Sequence, residues 1–217
     1  MGGAGIDNAA LFASRGYLVL LPNYRGSTGR GDAFLQALDG YPCSRPVSDV
    51  LTGIDYVVGK GWADPRRLGV RGGSYGGRIT NCVIGQTTRF KAAVSVAGFW
   101  NLTSAVSDSG AALGGFGSIK PPWQDINKYW EESPISHAGN IKTPTLIIIG
   151  GADTAVSPSQ AREQKRAFDW LEVPSELLVF PGEEHEISKP SSTRTRLEAE
   201  VAWFDHYVLG KPLPKSK

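Results

Sequence analysis

Short apolar runs alternate along this chain with longer segments of helical periodicity. The apolar runs cover residues 17–21, 68–71, 91–96, 145–149 and 176–180. Each run is continuous rather than alternating with polar positions, which is typical of strands buried on both faces of a parallel sheet. The pattern therefore predicts five strands in a mostly parallel sheet.

Helix-like segments fill the intervals between these runs. They cover residues 6–15, 48–58, 75–84, 157–171 and 192–209. Glycine follows the first, second and last of them, and Pro158 stands in the first turn of the fourth, as expected at helix ends. Because strands and helices alternate, we predict the α/β class, with helices on both faces of the sheet. The length of 217 residues suits one domain over 1–217.

Residues 100–142 depart from this alternation. They contain no clear strand and are rich in glycine, serine, proline and tryptophan. A connection of this length is usually a lid or a binding element. We interpret it as a lid-like insertion.

Charge and hydropathy narrow the classes of partner. The formal net charge is +2 and no long basic run occurs, so neither nucleic acid nor an anionic membrane is indicated as a partner. No apolar stretch reaches signal-peptide length or the roughly 18–20 residues that span a bilayer. We expect a cytoplasmic protein.

The two cysteines, Cys43 and Cys82, match no metal-binding spacing and imply no disulfide framework. Cys82 falls in a predicted helix, where a small apolar residue is the simplest interpretation. We expect no metal and no cofactor.

A serine between a predicted strand and a predicted helix is the strongest chemical signal. Residues 72–76 read Gly-Gly-Ser-Tyr-Gly. In this context the pattern G-x-S-x-G is typical of α/β hydrolases, where a sharp turn lifts the serine above the sheet. The N-terminus of the following helix favours negative charge that develops there. We predict that Ser74 is a nucleophile; the alternative is a glycine-rich turn with an ordinary serine.

Asp153 and His185 are the predicted partners of this serine. A serine hydroxyl needs a base to take its proton, and in α/β hydrolases the acid and then the histidine follow the serine along the chain. Catalytic groups gather at the carboxyl ends of parallel strands. Asp153 follows the fourth apolar run and His185 follows the fifth, so both are expected at that end.

The other candidates fit these roles less well. His206 lies inside the last predicted helix, and His137 precedes a strand instead of following one. Neither Asp125 nor Asp169 follows a strand. A surface histidine and a turn aspartate remain the alternative interpretations of the predicted pair.

An oxyanion hole needs two aligned donors. The backbone N–H of Tyr75, the residue after the predicted nucleophile, is one candidate. The second is the N–H of Gly3, in the only suitable glycine-rich stretch before that point. A frayed chain terminus is the alternative for Gly3.

The order of these motifs resembles the catalytic domain of the prolyl oligopeptidase family of serine peptidases. Residues 23–29 (Asn-Tyr-Arg-Gly-Ser-Thr-Gly), 72–77 and 128–134 (Lys-Tyr-Trp-Glu-Glu-Ser-Pro) carry the resemblance, together with Glu184-His185. It covers nearly the whole chain. The acylaminoacyl-peptidase-like and dipeptidyl-peptidase-like branch is the most similar.

The resemblance implies cleavage of short peptides or acyl-peptides through an acyl-enzyme. It places Val156 in the pocket for the residue before the scissile bond. Phe99 and Trp100 are further candidate pocket walls, with core packing as the alternative. Two positions depart from the family: residues 1–4 read Met-Gly-Gly-Ala where the family has His-Gly-Gly-Pro, and Arg78 stands where an aromatic residue is usual.

The resemblance also implies segments that this chain lacks. Family members carry a β-propeller and further hydrolase strands before this point, so we expect an α/β-hydrolase fold without its first strands. In the usual strand order, one strand would lie between the strands predicted at 17–21 and 68–71. Its loss leaves three outcomes: the first strand shifts to pair with the second, a partner supplies a strand, or the chain is a fragment. An exposed sheet edge favours self-association.

Three functions follow from the sequence. The leading prediction is a serine peptidase with a peptide or acyl-peptide substrate. The second is a carboxylesterase of small acyl esters, which needs the same chemistry. The third is a truncated, non-catalytic hydrolase fold that acts as a binding module.

Overall fold

Four parallel strands form one sheet in the computed structural model, which describes residues 9–110 and 119–213. The strands, in their order across the sheet, are β1 (Leu68–Gly73), β2 (Phe90–Val96), β3 (Thr145–Gly150) and β4 (Ser175–Phe180). Each strand pairs in parallel with the next. The α/β class and the parallel sheet predicted from the apolar runs are confirmed.

Helices connect the strands and cover both faces of the sheet. They are α1 (Asp32–Gln36), α2 (Ser44–Gly59), α3 (Tyr75–Gln86), α4 (Leu102–Asp108), α5 (Ile126–Glu131), a 3-10 helix (Pro134–Asn140), α6 (Pro158–Trp170) and α7 (Pro190–Leu209). Residues 9–13 are also helical.

Side chains that alternate along the central strands fill two separate cores. Leu146 and Ile148 of β3 pack in one cluster with α7 side chains, including Phe204. Ile147 and Ile149 pack in the other cluster, with Phe168 of α6. Because neighbouring residues of a strand point to opposite faces, a continuous apolar run serves both cores.

Residues 17–21 do not form the predicted strand. They belong to no sheet in the described part of the chain, and Leu18 and Leu21 are 54% and 58% exposed. A groove of about 490 Å³ separates them from β1, which is an edge strand of the sheet. An apolar run becomes a strand only where a neighbouring strand completes its hydrogen bonds, and among the described residues no strand pairs with 17–21.

Two helices begin earlier than their sequence patterns predicted. Helix α2 starts at Ser44 instead of Ser48, and α7 starts at Pro190 instead of Ser192. Proline is tolerated in a first helical turn because the N–H groups there have no partner within the helix. The lid-like segment 100–142 contains α4, α5 and the 3-10 helix, and its residues 111–118 lie outside the described part.

Cys43 and Cys82 form a disulfide bond, which corrects the expectation that no disulfide is present. Their Cα atoms are 5.7 Å apart, although 39 positions separate them in sequence. The bond joins the residue before α2 to the middle of α3. Spacing could not reveal it, because only the packing of α2 on α3 brings the two thiols together.

No helix among residues 9–110 and 119–213 is long and apolar enough to cross a membrane. The cytoplasmic location stays a prediction, and it stands beside a disulfide of the kind that persists mainly in oxidising compartments.

Candidate active site

Ser74 occupies a sharp turn between β1 and α3. Its φ is 56° and its ψ is −120°, a backbone conformation that non-glycine residues rarely adopt. Its N–H donates to the Val96 carbonyl at 2.8 Å, which ties the turn to the neighbouring strand. A Cβ atom at Gly72 would lie 2.2 Å from the Gly76 carbonyl oxygen, and one at Gly77 would lie 2.7 Å from that of Val96. Gly72 and Gly77 are therefore needed for the close packing of this turn.

The structure brings Ser74, His185 and Asp153 into one hydrogen-bonded chain. His185 Nε2 lies 2.8 Å from Ser74 Oγ, and His185 Nδ1 lies 2.8 Å from Asp153 Oδ2. The residues come from the carboxyl ends of three different strands, as the sequence predicted for catalytic groups in a parallel sheet. Ser74 is exposed, whereas the Asp153 side chain is fully buried.

Asp153 is oriented by backbone donors of its own loop. The N–H groups of Ala155 and Val156 each donate to Asp153 Oδ1 at 2.9 Å. The second oxygen is thus left to accept from His185. A buried carboxylate with all these partners is held in a single orientation.

The His185 loop packs directly on the end of β3. A Cβ atom at Gly150 would lie 2.0 Å from the Glu184 carbonyl oxygen, so only glycine allows this approach. The pKa of His185 is raised above its ordinary value, mainly by the hydrogen bond with Asp153. Partial burial acts in the opposite direction but is outweighed. The imidazolium form of His185 is thereby stabilised.

Of the two predicted oxyanion donors, Tyr75 lies within the described residues and Gly3 does not. Tyr75 is the first residue of α3, where N–H groups have no partner within the helix, so its amide is free to bind an oxyanion. Its ring is anchored by a hydrogen bond from the hydroxyl to the Pro42 carbonyl at 2.8 Å, and burial raises the pKa of this phenol. Gly3 lies outside the described residues.

The three predicted pocket residues separate into two clusters. Phe99 and Val156 are buried in the same cluster, together with Leu102 and Tyr129. Trp100 lies in the core cluster of α6, with its ring edge-on to Phe168 at 5.4 Å between centroids. A substrate-binding role for these residues stays a prediction.

Sequence reasoning missed two buried charged residues beside the site. Arg78 of α3 is fully buried, it donates to the Glu132 carbonyl at 3.2 Å, and burial lowers its pKa to about 10. Glu183, in the His185 loop, is only 2% exposed. The one signal in the sequence was Arg78 itself, a charged residue at a position that is usually aromatic in the family.

A parallel sheet with a serine on a strand–helix turn, and with an acid and a histidine after later strands, defines the α/β-hydrolase fold. Within this class the chain belongs to the prolyl oligopeptidase family, whose model matches residues 6–211.

Individual relatives agree with this assignment. The uncharacterized peptidase YuxL of Bacillus subtilis is 35% identical over 91% of this chain and 31% of its own length. The acylamino-acid-releasing enzyme 1 of Oryza sativa is 34% identical over 92% of this chain and 27% of its own length. The structure of a Mycobacterium tuberculosis puromycin-hydrolyzing peptidase, 34% identical, superposes with a TM-score of 0.80 over 86% of this chain and 29% of that one. The chain thus spans about three tenths of the length of these relatives.

Proposed function

We propose that this chain is the catalytic part of a serine peptidase that cleaves short peptides or acyl-peptides through an acyl-enzyme. The observation that carries the proposal is the continuous chain from Ser74 Oγ through both nitrogens of His185 to Asp153, with 2.8 Å at each step. This is the arrangement that turns a weakly nucleophilic hydroxyl into an attacking group.

In the first half of the reaction, Ser74 Oγ attacks the carbonyl carbon of the scissile bond while its proton passes to His185 Nε2. Asp153 holds the Nδ1–H of His185 and stabilises the imidazolium that forms. The amide of Tyr75, at the N-terminus of α3, donates to the oxyanion of the tetrahedral intermediate. When the intermediate collapses, His185 gives its proton to the leaving amine, and the acyl group stays on Ser74.

In the second half, water replaces the amine. His185 takes a proton from the water, the resulting hydroxide attacks the acyl carbon, and the proton returns to Ser74 as the acid product leaves. No metal or organic cofactor takes part in this scheme.

The relatives support peptides as the substrate class. The matched proteins are named as a peptidase, an acylamino-acid-releasing enzyme and a puromycin-hydrolyzing peptidase. We propose that Phe99 and Val156, which share one apolar cluster, line the pocket for the residue before the scissile bond. An apolar pocket of this kind favours an apolar side chain at that position of the substrate.

The test is covalent labelling by a fluorophosphonate probe, with Ser74→Ala as the matched control and circular dichroism to check folding. We expect labelling that requires Ser74. A folded chain that takes up no label would contradict the proposal and favour the binding-module interpretation. Hydrolysis of a peptide anilide beside a p-nitrophenyl ester then separates peptidase from esterase, and turnover of the ester alone would favour the esterase.

A further inference from the structure

The loop that carries His185 contains a buried carboxylate two residues earlier. Glu183 is 2% exposed, although Gly182, Glu184 and Glu186 in the same loop are all exposed. Removing a carboxylate from water is costly unless it gains partners. The burial of this acidic side chain, in a loop whose other acidic side chains are exposed, therefore indicates a specific set of contacts.

The Glu183 side chain binds the backbone at the N-terminus of helix α7. Its Oε2 accepts the N–H of Ser188 at 2.9 Å and that of Lys189 at 3.4 Å, and its Oε1 lies 3.9 Å from Lys189 Nζ. The pKa of Glu183 is lowered below its ordinary value, mainly by a hydrogen bond from the Ser192 side chain. Lys189, the N-cap residue of α7, provides no side-chain cap of its own. A negative charge here is further favoured by the helix dipole.

The Glu183 backbone binds the loop of the predicted acid. Its carbonyl accepts the N–H of Ala152 at 2.8 Å, and Ala152 directly precedes Asp153. Its own N–H donates to the Phe180 carbonyl at 3.2 Å, and the N–H of Gly151 donates to the same oxygen at 2.8 Å. Glu183 is thus the point where the His185 loop, the Asp153 loop and the start of α7 are joined.

We propose that Glu183 is a positioning residue whose carboxylate fixes the His185 loop to α7 and thereby keeps the imidazole in line between Asp153 and Ser74. The proposal rests on the proposed function for its effect on the reaction. The positioning itself is a statement about geometry. If the carboxylate is removed, the loop loses its bonds to the N–H groups of Ser188 and Lys189. The weaker frame that remains is the bond of Thr193 Oγ1 to the Ile187 carbonyl and that of Lys189 Nζ to the Gly182 carbonyl. The sheet and the Ser74 turn keep their contacts.

The kinetic test compares Glu183→Ala and Glu183→Gln with the unmodified chain. A misplacement of about 1 Å at a reacting group costs roughly 100-fold in rate, so we expect Glu183→Ala to lose about that much in kcat for a p-nitrophenyl ester, with KM nearly unchanged. Glu183→Gln keeps one oxygen that can accept from Ser188, so we expect it to recover about a tenth of the full rate or more. The same order of effects is expected for the rate of fluorophosphonate labelling.

The matched control is Glu184→Gln. Glu184 is exposed, it is one residue nearer to His185, and the change removes the same charge from the same loop. We expect it to leave kcat within about twofold of the unmodified chain, as is usual for exposed positions. Equal losses in Glu183→Gln and Glu184→Gln would mean that net charge in the loop matters and not its attachment to α7, which overturns the proposal.

A spectroscopic measurement separates this proposal from the proposed function. The proton on His185 Nδ1 gives a downfield nuclear magnetic resonance signal when it is hydrogen-bonded to a carboxylate, whether or not the protein is an active hydrolase. We expect the signal in the unmodified chain and in Glu184→Gln, and its loss or broadening in Glu183→Ala. If Glu183→Ala does not fold, the signal in Glu183→Gln decides. A sharp, unshifted signal in every folded Glu183 variant overturns the proposal, and an unmodified chain that shows the signal but takes up no probe contradicts only the proposed function.

Discussion

His185 links Ser74 to Asp153, and its protonation state decides whether it can accept the proton of Ser74. It lies between a fully buried carboxylate and an exposed hydroxyl, and its two ring nitrogens make one hydrogen bond to each. Because the bond to Asp153 stabilises the charged ring, the pKa of His185 lies above its ordinary value of 6.5. Only the neutral ring can take the proton of Ser74, so the chemistry is tied to this pKa.

The rate of probe labelling should therefore depend on pH in a definite direction. We expect the rate to be low when His185 is protonated and to rise with pH, with a midpoint above 6.5, because the pKa of His185 is raised. Asp153→Asn removes the charge that raises this pKa and should move the midpoint to lower pH. It should also reduce kcat by about 10⁴-fold, the loss found when the acid of a serine triad is neutralised. A midpoint that does not move in Asp153→Asn would contradict this assignment.

Gly72 offers a second prediction at the scale of single residues. In Gly72→Ala the new Cβ atom would lie 2.2 Å from the Gly76 carbonyl oxygen, so the Ser74 turn cannot keep its shape. We expect a loss of labelling and a lower unfolding temperature. Gly73→Ala is the control for stability, since its Cβ atom meets nothing within 4 Å. Similar unfolding temperatures for the two variants would show that the turn is less tightly packed than the structure indicates.

Helix α2 shows how an element can be defined by residues far away in sequence. Its N-cap residue, Cys43, provides no side-chain cap. Instead Glu132 accepts the N–H of Cys43 at 2.8 Å and that of Ser44 at 3.2 Å. The free N–H groups of a helix start need such acceptors, and here the acceptor stands 89 positions further along the chain. The start of α2 at Ser44 could therefore not be predicted from the local pattern.

The disulfide between Cys43 and Cys82 should stabilise the packing of α2 on α3. It closes a loop of 39 positions, and removing a bond of this kind typically lowers the free energy of unfolding by about 2–4 kcal/mol. We expect a reductant to lower the unfolding temperature of the unmodified chain. The double variant Cys43→Ala/Cys82→Ala should unfold at a lower temperature than the unmodified chain, and its unfolding temperature should be the same with and without the reductant. An unmodified chain whose melting is equally indifferent would show that the thiols are not bonded.

At the scale of the whole molecule, β1 is an edge strand of the sheet that residues 9–110 and 119–213 form. The N–H of Ser74 points to β2, and pairing is regular from Gly69 to Gly73, so the period of two turns the N–H groups of Gly72 and Val70 to β2 as well. Those of Gly73 and Arg71 then face the groove between β1 and residues 17–21, which they line. The amides on the two edges of β1 therefore differ in their protection from solvent.

Hydrogen exchange can measure this difference residue by residue. We expect the amides of Arg71 and Gly73 to exchange at least about tenfold faster than those of Val70 and Gly72, because only the latter pair with β2. The comparison is internal to one strand and needs no variant. Equal protection at all four amides in a dilute sample would mean that the β1 edge is covered.

Self-association through this edge stays a prediction, and concentration is the variable that tests it. An edge strand beside an apolar groove and exposed leucines favours pairing with another chain. We expect the sedimentation coefficient to rise with concentration, and the exchange of Arg71 and Gly73 to slow in parallel. Association without slower exchange at these amides would place the contact elsewhere, and a concentration-independent monomer would contradict the prediction.

The sequence by itself determined the features that depend on local pattern. Continuous apolar runs gave four of the strands, because a parallel sheet buries both faces of each strand. The serine turn could also be predicted, because its glycines, the preceding strand and the following helix are adjacent in the chain. Tertiary structure decided what depends on distant partners. Within the described part of the chain, it left residues 17–21 without a strand to pair with, joined Cys43 to Cys82, and placed Glu183 where the His185 loop meets the Asp153 loop and α7. Such contacts arise from packing between elements, and no pattern within a single element records them.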